Sequence, residues 1–485
     1  MDYKIKGYKP EKLFNFFEEI SAIPRGSSNE KGISDYLVEF AKERNLWVYQ
    51  DELFNVIIKK PASKDAKNKA PIMLQGHTDM VCEKISSSNH DFTKDGIDII
   101  VKDGIITANG TTLGGDNGAA VALMLAILDD ETLSHPDLEC VFTTQEETGL
   151  GGADHLDKSQ INAKTMINLD SEEEGIATVS CAGGMRFTLS KDIVKENKSG
   201  TILTVSVDGL LGGHSGMDIN KERQNANILL ARLINRVISN TDTYVASFNG
   251  GSKDNAIPRS SEAKLLIENK EEVNKVEEIV NKLSKEFSEE LVPFEPDFVV
   301  NVTKEEGETN VLSKEDATNL VSAVYLAPNG VLKRNLKQDG FVVTSLNLGV
   351  VSTNDNVAKI VFAPRSSVAS LQDDTTDRLY LLARTFGFNC DIAGAYPGWS
   401  FKEESPIRDT FIKSYKELFD GDLKIEAIHA GLECGLFSES IEGLDAIAVG
   451  PTIRGVHTPD EEIPLDSFER FYELLCDVLK KEANA

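Results

Sequence analysis

The chain has 485 residues, a length that exceeds one ordinary hydrophobic core and predicts two or three domains. Its 79 acidic residues outnumber its 51 basic ones, and the resulting net charge of −28 argues against nucleic acid and membrane surfaces as partners. No apolar run reaches the roughly 18 residues of a membrane span, no signal peptide is visible, and the six cysteines lack CxxC spacing. We therefore expect a cytoplasmic protein with reduced thiols.

Up to about residue 185, strand-like apolar runs alternate with helical patterns, for example at 12–23 and 30–44. This alternation is typical of βαβ units and predicts a largely parallel sheet. Longer alternating strands and amphipathic helices follow, and the α/β pattern returns near residue 398. We therefore predict an α/β fold in which a discontinuous catalytic domain, residues 1–186 and 398–485, has a mostly parallel mixed sheet flanked by helices. An inserted α+β lid domain would occupy residues 187–397.

The predicted lid contains two related phrases. DNAIPRSSEA begins at Asp254, and a second run from Asp355 begins DN and continues to FAPRSS. Each phrase places an asparagine and an Arg-Ser-Ser triplet near a strand and before a helix. The similarity suggests that the lid consists of two related halves.

The first candidate metal ligand follows the apolar run at 72–74, which reads as a buried strand. The chain breaks at Gly76 and then offers His77 and Asp79, which an extended backbone places on one face. The carboxylate of Asp79 can hold the imidazole in one tautomer. This segment alone leaves open the alternative that His77 is a surface histidine near a helix cap.

The second candidate is Asp116, which lies in a glycine-rich turn before an alanine-rich segment at 119–128. That segment is predicted to be a buried helix. As the N-cap of this helix, Asp116 would have only a structural role. The glycines on both sides instead favour a site where the backbone closely approaches a ligand, and Asp116 would then bridge two cations.

Three further apolar runs each end in potential ligands. They are 138–144 with Glu146 and Glu147, 166–169 with Asp170, and 446–450 with His457. The ends of strands are where sites gather in an α/β sheet. Adjacent glutamates are usually solvated charge, yet they also allow one carboxylate to bind a metal while its neighbour faces the substrate as a base.

Taken together, these segments resemble the M20 clan of di-zinc peptidases. The phrases QGHTDMV, GTTLGGDNGAAVA, QEETGLGGA and HAGLECGLF are similar to its cytosolic Xaa-His dipeptidase branch, also called aminoacyl-histidine dipeptidase or PepD-type. The likeness extends over essentially the whole chain. It implies two divalent metal ions, expected to be Zn²⁺, with Co²⁺ and Mn²⁺ as alternatives.

The resemblance also implies a role for each residue of the metal site. His77 and Asp170 would bind one ion, Glu147 and His457 the other, and Asp116 would bridge them. Asp79 would orient His77, and Glu146 would be the general base. The family pattern further implies a cis peptide bond between Asp116 and Asn117.

Four residues outside the ligand set are candidates for catalysis and substrate binding. By resemblance, His214 in a GGHSG turn would stabilise the oxyanion, Asn255 would help to bind the substrate, and Arg365 would clamp its terminal carboxylate. Glu433 in HAGLECG follows a strand and would bind the α-ammonium group, although a structural turn is the alternative. A homodimer is compatible with this scheme, and whether His214 serves its own chain or a partner stays open.

The sequence therefore predicts metal-assisted hydrolysis of unblocked dipeptides, Xaa-His dipeptides included, by a water that two metals bridge and Glu146 deprotonates. Another M20 reaction, that of an aminoacylase or a broad exopeptidase, is the alternative because the ligands do not determine the acyl group. A binding protein that has lost catalysis is disfavoured, since a structural site needs no free base such as Glu146.

Overall fold

The computed structural model describes residues 3–66, 69–291, 293–337, 340–354 and 356–485. Asp355, which opens the second of the two related phrases, lies outside these residues. The chain divides into two compact units, which are described separately below. The first comprises Met1–Cys181, Trp399–Ala427 and Leu432–Ala485, and the second comprises Ala182–Gly398 and Ile428–Gly431.

The segment Ile428–Gly431 departs from the predicted division, which assigned it to the catalytic domain. It packs with the second unit because its polar groups find partners there. The Nε2 atom of His429 lies 2.7 Å from the hydroxyl oxygen of Ser345, and the carbonyl oxygen of Ala430 accepts a hydrogen bond of 3.0 Å from the amide of Ala182. Sequence periodicity carries no signal for such contacts between distant segments.

The helices of the described residues are α1 Glu11–Ser21, α2 Lys31–Glu43, α3 Gly115–Asp129, α4 Gly151–His155, α5 Ala226–Ile238, α6 Lys270–Leu291, α7 Lys314–Leu326, α8 Ala369–Phe386, α9 Pro406–Phe419, α10 Cys434–Ser440 and α11 Leu465–Asn484. The strands are β1 Trp47–Gln50, β2 Val56–Lys60, β3 Ile72–His77, β4 Ile99–Lys102, β5 Ile105–Ala108, β6 Leu138–Thr143, β7 Thr165–Asn168, β8 Ile176–Cys181, β9 Gly183–Asp192, β10 Lys195–Asp208, β11 Gly213–His214, β12 Thr243–Gly250, β13 Ala256–Ile257, β14 Ser261–Ile267, β15 Val299–Leu312, β16 Gly330–Arg334, β17 Val342–Ser352, β18 Val357–Ser366, β19 Asn389–Tyr396, β20 Lys424–Ile428, β21 Asp445–Ala448 and β22 Glu462–Pro464.

The first unit is built on a mixed eight-stranded sheet with the order β1-β2-β6-β3-β7-β21-β8-β20. The central strands β6, β3, β7 and β21 run parallel to one another, whereas β1, β2 and β8 pair antiparallel with their neighbours. Strands β3 and β6 are buried along their whole length, which explains their continuous apolar runs. The mixed α/β architecture confirms the predicted fold class.

The two ends of the chain share the core of this unit. Helix α3 is buried along nearly its whole length, as its alanine-rich sequence predicts. The rings of Phe14 and Phe17 on α1 meet the ring of Phe468 on α11 edge-on, with centroids 5.6 and 5.8 Å apart. Pairs of this kind contribute about 0.5–1.5 kcal/mol beyond the area they bury. This packing joins α11, near the end of the chain, to the core of the first unit.

The second unit contains an antiparallel sheet with the order β15-β10-β14-β12-β17-β18-β9-β19, and β16 pairs with β17. Helices α5 to α8 contribute apolar residues to a core that they share with these strands. The edge strand β15 is mostly exposed and rich in charge, features that disfavour pairing between sheet edges. Among the described residues, no helix has the length and apolar character that crossing a membrane requires.

Candidate metal centre

The parallel strands of the first unit bring three candidate ligand segments to one edge of the sheet. His77 is the last residue of β3, Glu147 follows the end of β6, and Asp170 follows the end of β7. Asp116 comes from the start of α3, and His457 comes from the loop between β21 and β22. Strands that run parallel end at the same edge of a sheet, which is why segments so far apart in sequence converge here.

These side chains form three overlapping groups that could hold metal ions. The groups are His77 with Asp116 and Asp170, Asp116 with Glu147 and His457, and His77 with Glu146 and Glu147. Asp116 belongs to two of them because its oxygens face different imidazoles. Its Oδ1 lies 3.1 Å from Nε2 of His77, and its Oδ2 lies 3.3 Å from Nε2 of His457. All five residues predicted as ligands therefore lie together.

The donor set and its spacing fit divalent ions. Nε2 of His77 lies 3.4 Å from Oδ1 of Asp170, and Nε2 of His457 lies 3.0 Å from Oε1 of Glu147. Two ligands that lie 2.0–2.1 Å from a tetrahedral Zn²⁺ are about 3.3 Å apart, close to these distances. Mixed imidazole and carboxylate ligands suit Zn²⁺, Co²⁺ or Mn²⁺.

The backbone at Asp116 departs from the helix that follows it. Gly114 is in a left-handed conformation with φ of +68°, and Asp116 (φ −83°, ψ 109°) and Asn117 (φ −113°, ψ 36°) have non-helical backbone angles, so the regular helix begins only after them. The peptide bond between Asp116 and Asn117 is cis, as the family resemblance implied. The side-chain amide of Asn117 donates to the carbonyl oxygen of Leu169 at 3.0 Å, which links this turn to the residue before Asp170.

Asp79 lies beneath the centre and organises two of its segments. Its Oδ1 is 3.3 Å from Nδ1 of His77, and its carboxylate also accepts hydrogen bonds from the backbone amides of Glu146 and Glu147 and from the hydroxyl of Ser27. Although burial opposes ionisation, the hydrogen bond to His77 and these other donors lower the pKa of Asp79. Asp79 is therefore an anion that contacts both His77 and the backbone of Glu146 and Glu147.

The centre concentrates negative charge in a buried place. Burial, together with the negative charges of Asp170 and Glu433, raises the pKa of Glu146 to about 9 against the opposing effect of His77. Burial also raises the pKa of Asp170. Bound cations would favour the ionised form of each carboxylate.

Glu433 lies inside the first unit and is fully buried. Its Oε2 accepts hydrogen bonds from the side chains of Gln75 and Thr143, the latter at 2.8 Å. Its Oε1 has no hydrogen-bond partner among the described residues. Burial raises the pKa of Glu433 to about 7. A solvent-exposed turn, the alternative left open by the sequence, is therefore wrong.

The remaining predicted site residues, His214, Asn255 and Arg365, belong to the second unit. Nδ1 of His214 accepts hydrogen bonds from the backbone amides of Gly216 and Met217 at 3.2 and 3.0 Å. Burial and the charge of Arg365 lower the pKa of His214, so its imidazole is neutral and carries its proton on Nε2.

Asn255 and Arg365 line one cavity of about 200 Å³ in the second unit. Arg365 is buried, and its Nη1 donates a hydrogen bond of 2.9 Å to the hydroxyl of Tyr396. Its Nε has no partner among the residues that the structure describes. The cavity therefore presents an oriented guanidinium group with unused donor capacity.

Several residues around these sites were not predicted from the sequence. Arg25 donates to the carbonyl oxygens of Thr78 and Gly114, and the carboxylate of Glu461 accepts from three backbone amides of the Asp116 turn. The sequence alone does not distinguish a buried arginine such as Arg25 from an exposed one. For Glu461, the sequence offered one indication of a role near the site, its position four residues after His457.

Comparison with known proteins identifies the family. The model of peptidase family M20/M25/M40 matches residues 73–481. The chain belongs to this family. A cytosol non-specific dipeptidase of Escherichia coli (strain K12) is 36% identical over 474 residues, which cover 97% of this chain and 98% of that protein. The resemblance to the M20 clan is thus confirmed, as is the expected class of metal-dependent peptidase.

Two solved structures resemble this chain to different degrees. An aminoacylhistidine dipeptidase from Vibrio alginolyticus superposes with a TM-score of 0.92 at 34% identity, over 98% of this chain and 97% of that one. The aminopeptidase PepT from Bacillus cereus ATCC 10987 has a TM-score of 0.56 at 16% identity, over 99% of this chain and 100% of that one. The second likeness concerns the fold alone.

The geometry of the three groups predicts that divalent ions stabilise the protein. Metal-free protein, prepared with a chelator, should show a higher Tm when Zn²⁺, Mn²⁺ or Co²⁺ is added. An ion that binds only the native state stabilises it by about 2.7 kcal/mol at 100 times its Kd. His77→Ala should lose most of the rise, because His77 belongs to two groups, whereas exposed His155→Ala should keep it. A wild-type Tm that responds to none of these ions would contradict the assignment.

Proposed function

We propose that this protein is a cytoplasmic metallo-dipeptidase that hydrolyses unblocked dipeptides, Xaa-His dipeptides among them. The observation that carries the proposal is the convergence of histidine and carboxylate side chains in three overlapping groups that could hold metal ions, Glu146 among them. Two relatives that match nearly the whole chain are named a cytosol non-specific dipeptidase and an aminoacylhistidine dipeptidase. These names support the substrate class and the compartment.

In the proposed centre, His77 and Asp170 hold one ion, Glu147 and His457 hold the other, and Asp116 bridges them. The distances between these ligand atoms, 3.0–3.4 Å, support the assignment. Two divalent ions, Zn²⁺ in our proposal, would supply Lewis acidity that activates water and polarises the scissile carbonyl. Asp79 holds His77 in the tautomer whose Nε2 is free to bind an ion.

Glu146 is proposed to accept a proton from the attacking water and to return it to the leaving amine. Its backbone amide donates to Oδ1 of Asp79, which anchors its segment beside His77. Glu147, the next residue, has its Oε1 against the imidazole of His457 instead. The two neighbours are therefore suited to different roles.

His214 is proposed to donate its Nε2 proton to the oxyanion of the tetrahedral intermediate. The two backbone amides that donate to its Nδ1 support this role, because they require the proton to be on Nε2. A donor whose tautomer is set by the backbone needs no reorganisation during the reaction. Whether His214 acts in its own chain or in the second subunit of a homodimer is a matter for experiment.

The two ends of the substrate are proposed to be read by groups of opposite charge. Arg365, with its free Nε and its orientation by Tyr396, suits a terminal carboxylate. Asn255 lines the same cavity and would add a polar contact. Glu433 has one unpartnered carboxylate oxygen in a buried place, which suits an ammonium group. Recognition of both charged ends would restrict the enzyme to dipeptides.

The substrate class can be tested with a panel of free, N-acetylated and C-amidated dipeptides that includes Xaa-His members. Free dipeptides should be hydrolysed, and each block should lower kcat/KM by about 10- to 100-fold, the effect of losing a hydrogen bond to a charged group. The kcat/KM of Arg365→Ala should be similar for amidated and free dipeptides. The kcat/KM of Glu433→Gln should likewise be similar for acetylated and free dipeptides. Hydrolysis of N-acyl amino acids without dipeptide hydrolysis would instead identify an aminoacylase.

The neighbouring glutamates provide a matched pair of variants. Glu146→Ala should retain two ions per chain while kcat falls by at least about 10²-fold, because the proton acceptor is lost. Glu147→Ala should lose one ion. Elemental analysis of both variants measures the metal content, and steady-state kinetics measures the turnover. Near-normal turnover of Glu146→Ala, or its loss of an ion, would reject its assignment as the base.

The role of His214 can be tested by kinetics and by mixing subunits. His214→Ala should lower kcat by about 10²–10³-fold, the effect of removing one oxyanion donor, with little change in KM or metal content. Lost thermal stability with nearly normal kcat would indicate a purely structural histidine. In verified mixed dimers of His214→Ala and Glu146→Ala chains, recovered activity would show that His214 acts across the subunit interface.

A further inference from the structure

We propose that Glu461 is a positioning residue that holds the Asp116 turn and the His457 loop at ligand distance before any ion binds. Glu461 is not one of the ligands, and it belongs to the same short loop as His457. The inference rests on the two-ion centre of the proposed function. According to this inference, the buried carboxylate of Glu461 sets the distance between Asp116 and His457.

The carboxylate of Glu461 spans the Asp116 turn. Its Oε2 accepts hydrogen bonds from the backbone amides of Leu113 and Gly114 at 2.7 and 2.9 Å, and its Oε1 accepts from the amide of Asp116 at 3.1 Å. Glu461 is only 2% exposed, so these bonds are shielded from water. Hydrogen bonds to an ionised acceptor are roughly twice as strong as neutral ones. The turn that carries Asp116 is thus held by three such bonds.

The loop that carries His457 is closed and short. Arg454 and Glu462 exchange backbone hydrogen bonds of 2.9 Å at its base, and the amide of Glu461 donates to the carbonyl oxygen of Thr458 at 3.1 Å. His457 itself adopts a φ of +63°. Because this loop has little freedom, the position of the Glu461 carboxylate also determines the position of the imidazole.

The other side of the Asp116 turn is tied to different ligands. Arg25 donates to the carbonyl oxygens of Gly114 and Thr78, which connects the turn to the segment after His77. Asn117 donates to the carbonyl oxygen of Leu169, next to Asp170. Loss of Glu461 would therefore leave Asp116 fixed relative to His77 and Asp170 and release it only from His457. Replacing Glu461 should therefore weaken the binding of one ion more than that of the other.

A simple structural role makes a different prediction. If Glu461 served only to satisfy buried amides, its replacement would lower stability without selecting one ion. Glu461→Gln keeps the size of the side chain but replaces one acceptor oxygen by an NH₂ group, which cannot accept from a backbone amide. Residues that orient metal ligands typically change metal affinity by 10–100-fold when they are replaced.

The experiment is a calorimetric titration of metal-free full-length protein with Zn²⁺, using a competing chelator. For Glu461→Gln we expect one of the two dissociation constants to rise by about 10–100-fold while the other changes by less than about threefold. The matched control is Glu462→Gln, the next residue, whose carboxylate pairs with Arg454 at the surface. The control should bind both ions as the wild type does.

Two unchanged constants for Glu461→Gln, or an equal loss at both sites, would overturn the proposal, whatever happens to Tm. If Glu461→Gln does not fold, Glu461→Asp provides the same test, because it keeps the charge and both acceptors but is shorter by one methylene. Glu461→Asp should show the same selective loss of affinity for one ion at a smaller magnitude. Two unchanged dissociation constants would again reject the proposal. A wild type that binds two ions but cleaves no dipeptide would reject only the proposed function.

Discussion

The structure of the first unit depends on one shared carboxylate. Asp116 must present one oxygen to His77 and the other to His457, two imidazoles that are 380 positions apart in the chain. Gly114, in the left-handed conformation, and the backbone amides that donate to Glu461 belong to the turn that carries Asp116. Asp116 and Asn117 have non-helical backbone angles, so this turn precedes the regular part of α3.

The second constraint is electrostatic. The carboxylates of Asp116, Asp170, Glu146 and Glu147 lie in overlapping groups in a protein that is already strongly acidic overall. Like charges in a buried place repel and raise the free energy of the native state. Two divalent ions would cancel most of this repulsion, so metal binding and folding stability are coupled in such a centre.

The second unit contributes groups of a different kind. His214 takes its tautomer from two backbone amides, and Arg365 takes its orientation from Tyr396. His429, from a segment that is distant in sequence, lies against Ser345, and burial lowers its pKa to about 3, so it is neutral. In each case a neighbouring group sets the protonation state or the orientation of a side chain that sequence analysis treats in isolation. An antiparallel sheet with well-packed helices provides the rigidity that such placement needs.

By itself, the sequence determined the α/β class and the family, and it pointed to the residues that the structure brings together in groups able to hold metal ions. Most of these residues follow an apolar strand directly in the chain, whereas Asp116 lies in a glycine-rich turn before a helix. Such local patterns survive in the sequence since strand, turn and ligand are neighbours in the chain. Only the tertiary structure decided which partners hold those ligands. Glu461, Arg25 and Tyr396 act through contacts with residues far away in sequence, and no local pattern distinguishes them from ordinary charged or aromatic residues. The burial of Glu433 and the packing of Ile428–Gly431 were likewise decided by long-range contacts, whose energies depend on what the fold brings together.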